Sequence, residues 1–217
     1  MNRGTTIFNE KLLEFWRYKD HPQMMPFIGK YWGQYKKLLV IGESHYLAPG
    51  GAEFSKDWYD LPIECLEADD IEWTNTAKII DETQYKSGSH SIYRNIDYAI
   101  RETGFKPDES VFCYVAYMNF FQRPAEETHE SINASNEDIE IANETLKYVC
   151  DIIEPEYLFF ISRKAHTCLD KTMCATGQIG CSAHPASSWW NRENSEDSWR
   201  TGKQAFMDFI KEKKIFG

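Results

Sequence analysis

Leu39-Val40-Ile41-Gly42-Glu43-Ser44-His45-Tyr46 runs from three apolar residues through a glycine into an acid, a hydroxyl, an imidazole and a phenol. An apolar run closed by such a cluster reads as a buried strand whose carboxyl end delivers chemistry. With Lys37 to Ile41 as the first strand, three more runs have the same form: Val111 to Tyr117, Tyr157 to Ile161 and Gln178 to Ser182. Helical patterns lie between and after them. Ser91 to Thr103 puts Ile92, Ile96, Ala99 and Ile100 on one face, and Asn136 to Ile153 opens on an Asn cap and repeats Ile139, Ala142, Leu146 and Val149. Arg163 to Ala175 and Ser198 to Lys214 complete the alternation. The expectation is an α/β fold, three-layer α/β/α, around a central mainly parallel four-stranded sheet.

In such sheets ligands bind beyond the carboxyl ends of the strands. Four polar clusters stand there: Gly42 to Tyr46, Asn119 to Pro124 (NFFQRP), Ser162 to Lys164, and His184 to Trp190 (HPASSWW). Each has an ordinary reading when taken alone. Gly42 makes a tight turn, Glu43 or Ser44 caps the next segment, Asn119 satisfies a turn, and His184-Pro185 is a rigid loop. Several clusters at one topological position argue together for a site.

The chain has 217 residues, 42% of them hydrophobic, enough for one core, so residues 1–217 are expected to form a single domain. No run approaches the ~18 apolar residues that span a bilayer, and the N-terminus lacks the pattern of a cleaved leader. A soluble, cytoplasmic protein without a membrane partner is expected. The six cysteines form no CxxC pair, which points to reduced thiols and to neither structural zinc nor an iron–sulfur cluster. The net charge of −10 comes from 34 acids against 24 bases and offers no overall basic footprint for nucleic acid. The acids concentrate in Glu53 to Glu82 and Glu126 to Glu144, which leaves the local field near the strand ends open.

From Lys37 to Asn191 the chain resembles the uracil-DNA glycosylase superfamily. Gly42-Glu43-Ser44-His45-Tyr46 is similar to the family's water-activating motif, GQDPYH in one branch and GEAPG in another. Val115-Ala116-Tyr117-Met118-Asn119, followed by Arg123-Pro124, resembles the strand-end asparagine that reads the base. His184-Pro185-Ala186-Ser187-Ser188 resembles the HPS-type third motif. The resemblance implies hydrolysis of the N-glycosidic bond of uracil or a related deaminated base in DNA, with no cofactor and no metal. Negative charge grows on the departing base, so such a site must stabilise an anion, position water and hold the base outside the stack. By the resemblance Glu43 orients water and His184, as the neutral imidazole, donates to the base. Asn119 reads the Watson–Crick edge and Tyr46 excludes the thymine methyl. Phe54 or Trp58 stacks on the base, Arg123, Ser187 and Ser188 meet the nucleic acid, and Trp189 or Trp190 wedges into the duplex.

Three departures accompany the resemblance, the first being that Glu43 matches the acid of the GEAPG branch, which carries cysteines for an iron–sulfur cluster, while no matching cysteine spacing appears here. Ser44 stands where the GQDPYH branch has its Asp, and a serine is no carboxylate base at neutral pH. His45 replaces a proline or alanine, either adding an acid–base group or shaping the turn. Two other functions compete. A catalytically silent member would bind a nucleobase or nucleic acid without cutting it. An SGNH-like esterase would use Ser44 as nucleophile, Asn119 as oxyanion donor and His184 as base, but Cys181 stands where its orienting acid belongs.

Overall fold

A computed structural model of the chain describes residues 2–47, 57–81, 85, 90–127, 130–172 and 178–217. Among the described residues five strands form one mixed sheet: β1 (Phe27–Ile28), β2 (Leu38–Gly42), β3 (Ala116–Asn119), β4 (Tyr157–Phe160) and β5 (Ile179–Cys181). Their order is β1-β3-β2-β4-β5, with β1 antiparallel to β3 and the other pairs parallel. The expected sheet of four strands is therefore short by one. Two residues between Pro26 and Gly29 are too few to show a period, so β1 left no pattern to read.

The second strand differs from expectation as well. Val111–Cys113 forms a 3-10 turn whose Ser110 Oγ accepts from the Phe112 N–H at 3.2 Å, and extended backbone begins only at Ala116. Both segments are buried, and burial alone gives the same apolar signature to a turn and a strand. The first strand ends one residue later than expected and takes in Gly42.

Alternate strand residues serve two cores. Leu39, Ile41, Met118, Leu158 and Phe160 pack with Leu12 and Tyr18 of α1 (Asn9–Leu12) and α2 (Trp16–Asp20) and with Ala142, Leu146 and Val149 farther along the chain. Leu38, Val40, Tyr117 and Phe159 pack instead with Ile80, Ile96, Ile100, Phe206 and Phe209. Because both faces are covered, β2 and β4 read as continuous apolar runs rather than alternating ones.

Helices α3 (Ala68–Trp73), α4 (Thr76–Asp81) and α5 (Ser91–Glu102) lie between β2 and β3. Helix α6 (Asn136–Ile153) has its expected bounds, but its cap is Ser135 rather than an asparagine. Ser135 Oγ accepts from the Asp138 N–H at 3.1 Å while Asp138 Oδ2 accepts from the Ser135 N–H at 2.7 Å, a reciprocal box. Helix α7 (Arg163–Thr167) stops before the expected Ala175. Asn143 of α6 donates to the Cys168 carbonyl at 2.9 Å and accepts from the Asp170 N–H at 2.7 Å, which draws those groups out of a helical ladder. Helix α8 (Gly202–Glu212) begins after Ser198 because Ser198 and Trp199 hold left-handed φ of 57° and 59°. No helix among the described residues is long and apolar enough to cross a membrane.

Candidate functional site

The parallel strands end together, and their terminal residues interlock. The Phe120 and Phe121 N–H groups donate to the carbonyls of Gly42 at 3.1 Å and Glu43 at 2.9 Å, carrying the β2–β3 pairing past the sheet. Glu43 then collects donors from neighbouring segments. Ser162 Oγ, just beyond β4, donates to its Oε2 at 2.6 Å, the Ile132 N–H donates to Oε1 at 3.3 Å, and Ser131 Oγ also donates to Oε1. A carboxylate offers about four acceptor positions. Among the described residues three are filled, two on Oε1 and one on Oε2. Lys164 Nζ donates to the Ile132 carbonyl and so pins the loop that grips Glu43.

Gly42 is set opposite Asn119 in the parallel register. A Cβ on Gly42 would come within 2.3 Å of both Asn119 Oδ1 and the Tyr117 hydroxyl, so only glycine leaves room for that pair. The turn that Gly42 was expected to make is thus a close approach within a strand. Tyr117 Oη donates to Asn119 Oδ1 at 3.0 Å, and both side chains are buried.

His184 sits in the loop after β5. Its Nδ1 accepts from the Ala186 N–H at 3.3 Å. A ring nitrogen that accepts carries no proton, so the neutral imidazole bears its proton on Nε2. Burial holds His184 below the ordinary histidine value, while the nearby Glu43 carboxylate pulls the other way. The loop is braced on three sides: Ser187 N–H and Oγ donate to the His184 carbonyl at 2.9 and 2.8 Å, and Asn95 Nδ2 of α5 donates to the Pro185 carbonyl at 2.8 Å.

Ser44, His45, Tyr46, Asn119 and His184 line one cavity of about 230 Å³. That is below the ~300–1,000 Å³ of pockets for drug-sized ligands and suits a single heterocycle. His45 is neutral there: burial pulls it down to about 4, and its Nε2 is 2.9 Å from Thr76 Oγ1 at the start of α4. That contact ties the motif to α4. Burial and the charge of Glu43 raise the Tyr46 phenol, which stays protonated at neutral pH.

The lining also includes Trp73, Ile79, His90, Ile92, Tyr93 and Tyr117, none of them expected at the site from the sequence. For Tyr117 a signal existed, since residues i and i+2 of a strand share a face and Tyr117 stands two before Asn119. The others arrive through tertiary packing of α3, α4 and α5 and leave no local trace.

Several expected residues are not brought to this cavity. Arg123 is buried in a bidentate pair with Asp138, Nε to Oδ1 at 2.7 Å and Nη2 to Oδ2 at 3.0 Å, and also meets Glu126. Those bonds occupy the guanidinium, so its expected contact with nucleic acid gives way to a structural role. Trp58 is fully buried and stacks on His21 at 4.8 Å, away from the cavity. Phe54 lies outside the described residues. Ser187 is half-buried in the His184 loop, Ser188 is exposed beside it, and Trp189 is 49% exposed whereas Trp190 is in the core.

Among the described residues no three His, Cys, Asp or Glu side chains gather as metal ligands. No protein-family model matches the chain, and no curated protein matches its sequence.

Proposed function

We propose that the chain is a hydrolase of the uracil-DNA glycosylase type, with that family's three-layer α/β/α fold, acting on the N-glycosidic bond of uracil or a related deaminated base in DNA. One observation carries the reading: an Asn119 amide bonded to Tyr117 and a His184 tautomer with its proton on Nε2 share a heterocycle-sized cavity at the strand ends. In the reaction, water adds to C1′ of the sugar as the C1′–N bond breaks. The electron pair of that bond leaves with the base as its anion, and the proton that the water gives up passes through solvent to neutralise that anion after release. His184 Nε2–H, already in place, donates to the oxygen on which charge develops and needs no reorganisation. Glu43 orients the water. Asn119 reads the base edge, Tyr46 crowds the position of a thymine methyl, and exposed Ser188 and Trp189 meet the DNA strand.

A non-cleaving, base-binding protein is the second reading. It is favoured by the engagement of Glu43, whose two oxygens already accept three hydrogen bonds and which does not line the cavity. The esterase alternative lacks its relay. An imidazole protonated on Nε2 cannot take the Ser44 proton, and Nδ1 meets a backbone donor instead of a carboxylate.

The deciding experiment measures release of free base from single-stranded and paired oligonucleotides holding uracil, hypoxanthine or xanthine, with protein in excess. Release is expected, and His184→Ala should slow it about 10²–10³-fold, the usual effect of removing one donor to a developing oxyanion. Asn119→Ala should abolish the choice among bases. Binding of uracil-containing DNA without release would establish the second reading, and neither binding nor release would remove both.

A further inference from the structure

We propose that Lys78 is the residue that takes the phosphate of the bound nucleotide, and that Glu72 holds its place until the ligand arrives. That the ligand is a nucleotide rests on the glycosylase reading above. A base seated in the cavity carries its sugar and phosphate to the mouth, where a cation is needed to receive them. Arg123, the basic residue expected to meet nucleic acid, is sealed in its pair with Asp138. Among the described residues Lys78 is the one lysine or arginine in the cavity lining. It comes from within the acid-rich stretch Glu53 to Glu82, so nothing in the sequence marks it as a phosphate ligand.

The lining runs from buried to exposed. His45 and Asn119 are buried at the strand ends, Trp73 and Ile79 are half-buried, and Glu72 is exposed, which places the mouth where α3 and α4 meet. Helix α4 is fixed to the site by the 2.9 Å contact of Thr76 Oγ1 with His45 Nε2, and Asn75 Oδ1 accepts from the Lys78 N–H at 2.8 Å. The Lys78 backbone is thereby held at the rim. Its Nζ lies 3.2 Å from Glu72 Oε1, with 35% of the lysine and 55% of the glutamate side chain exposed. An ion pair as wet as this shifts an equilibrium by no more than about fivefold, so a phosphate that offers the ammonium a full negative charge displaces the carboxylate at small cost. Asp69, one turn before Glu72 on α3, adds negative charge on the same side. A phosphate is therefore received at Lys78 and repelled around it, which makes the lysine a point of registration rather than part of a basic track.

The test measures binding of a single-stranded oligonucleotide holding one uracil, with fluorine on C2′ of that nucleotide to oppose positive charge at C1′ and keep the ligand intact. Deoxyuridine and its 5′-monophosphate are measured beside it, on wild type, Lys78→Ala, Glu72→Gln and the double variant. Lys78→Ala should weaken the oligonucleotide about tenfold at 0.1 M salt and lower the slope of log K against log salt by about one. Glu72→Gln should tighten binding up to about fivefold in the wild-type background and lose most of that gain once Lys78 is gone. The same Lys78 dependence in the monophosphate, absent in deoxyuridine, extends the site to free nucleotides; its confinement to the oligonucleotide assigns the phosphate to a DNA strand, and both support the proposal. Binding of the oligonucleotide with affinity and slope unchanged in Lys78→Ala overturns it and leaves the glycosylase reading standing. An equal gain from Glu72→Gln in both backgrounds overturns the place-holding role, since plain repulsion acts without the lysine. If the monophosphate binds through Lys78 and the oligonucleotide does not bind, the proposal stands while the DNA reading fails, and if neither binds, both fall. Lys78→Gln, which keeps the length of the side chain, carries the comparison should Lys78→Ala disturb α4.

Discussion

Two buried arginines, linked through Tyr59 and Asp138, are treated in opposite ways. Arg123 donates to both Asp138 oxygens, to Glu126, and to the carbonyls of Pro124 and Asn133. Burial pulls its pKa down, but the bonds to Asp138 and Glu126 outweigh that and raise it. Arg17 is fully buried with no hydrogen-bond acceptor among the described residues, and its guanidinium lies over the rings of Trp16 at 5.5 Å and Tyr59 at 4.8 Å. Burial brings it down to about 10. The same Tyr59 that faces Arg17 with its ring donates its hydroxyl to Asp138 at 2.8 Å. A charge taken out of water costs free energy that only well-placed partners return. Arg123 has them and holds Glu126, Asn133 and Asp138 together beside the Ser131 and Ile132 that reach Glu43; among the described residues Arg17 has aromatic faces and the charge of Asp20, with no hydrogen-bonded acceptor.

The comparison fails most visibly if Asp138 is unimportant. Asp138→Ala leaves the Arg123 charge buried without its main partner and should cost about 3–5 kcal/mol in denaturant unfolding. A loss below about 1 kcal/mol would mean that Arg123 finds water instead. Pairing it with Arg123→Met should recover most of the loss.

The second test uses acid. Burial, aided by the charge of Arg17, lowers His21 to about 4, and burial lowers His45 to about 4. In both the folded value lies below the ordinary one near 6.5, so the unfolded chain binds more protons in between, and stability rises with pH from about 4 to 6.5 and is flat above. Each group contributes on the order of 3 kcal/mol over that window. Asp138 and Glu126, lowered against burial by hydrogen bonds that include those of Arg123, are protonated at still lower pH and act in the same direction. His21→Phe, which keeps a ring against Trp58, should flatten the slope by one group's share; an unchanged slope would place His21 in water.

Gly42→Ala is expected to cost about 1–3 kcal/mol, because a methyl at 2.3 Å from two oxygens forces them apart. Thermal unfolding measures the loss, and the side-chain amide NMR signals of Asn119 should move with it.

The smallest effect belongs to Arg17. Arg17→Met replaces a charge that lacks polar partners with an apolar chain of similar length, and should change stability by less than about 1 kcal/mol or increase it. A loss as large as that of Asp138→Ala would erase the contrast between the two arginines.

The strands β2 and β4 were legible because burial on both faces leaves an uninterrupted apolar run, and the rule for open α/β sheets then placed Glu43, Asn119 and His184 at a common edge. β1 was illegible because it is two residues long, and Val111–Cys113 misled because a buried turn is as apolar as a strand. Arg123 follows Asn119 closely in sequence, yet its partner is fifteen residues on, across a loop, and no local pattern announces a salt bridge of that kind. The capping box of α6 stands in the sequence as Ser135 and Asp138, three apart, but the neighbouring Asn136 is an equally good cap by residue type.

By itself, the order of residues determined the α/β alternation, the position of the polar clusters at strand ends and the set of groups able to do chemistry there, because periodicity and strand termini are local properties of a chain. The tertiary structure alone decided the state of those groups. It chose the His184 tautomer through one backbone N–H, bonded the Asn119 amide to Tyr117, took three of the acceptor positions of Glu43 and sealed Arg123 inside. Hydrogen bonding and desolvation act over a few ångströms in space, and the partners that supply them come from segments far apart along the chain.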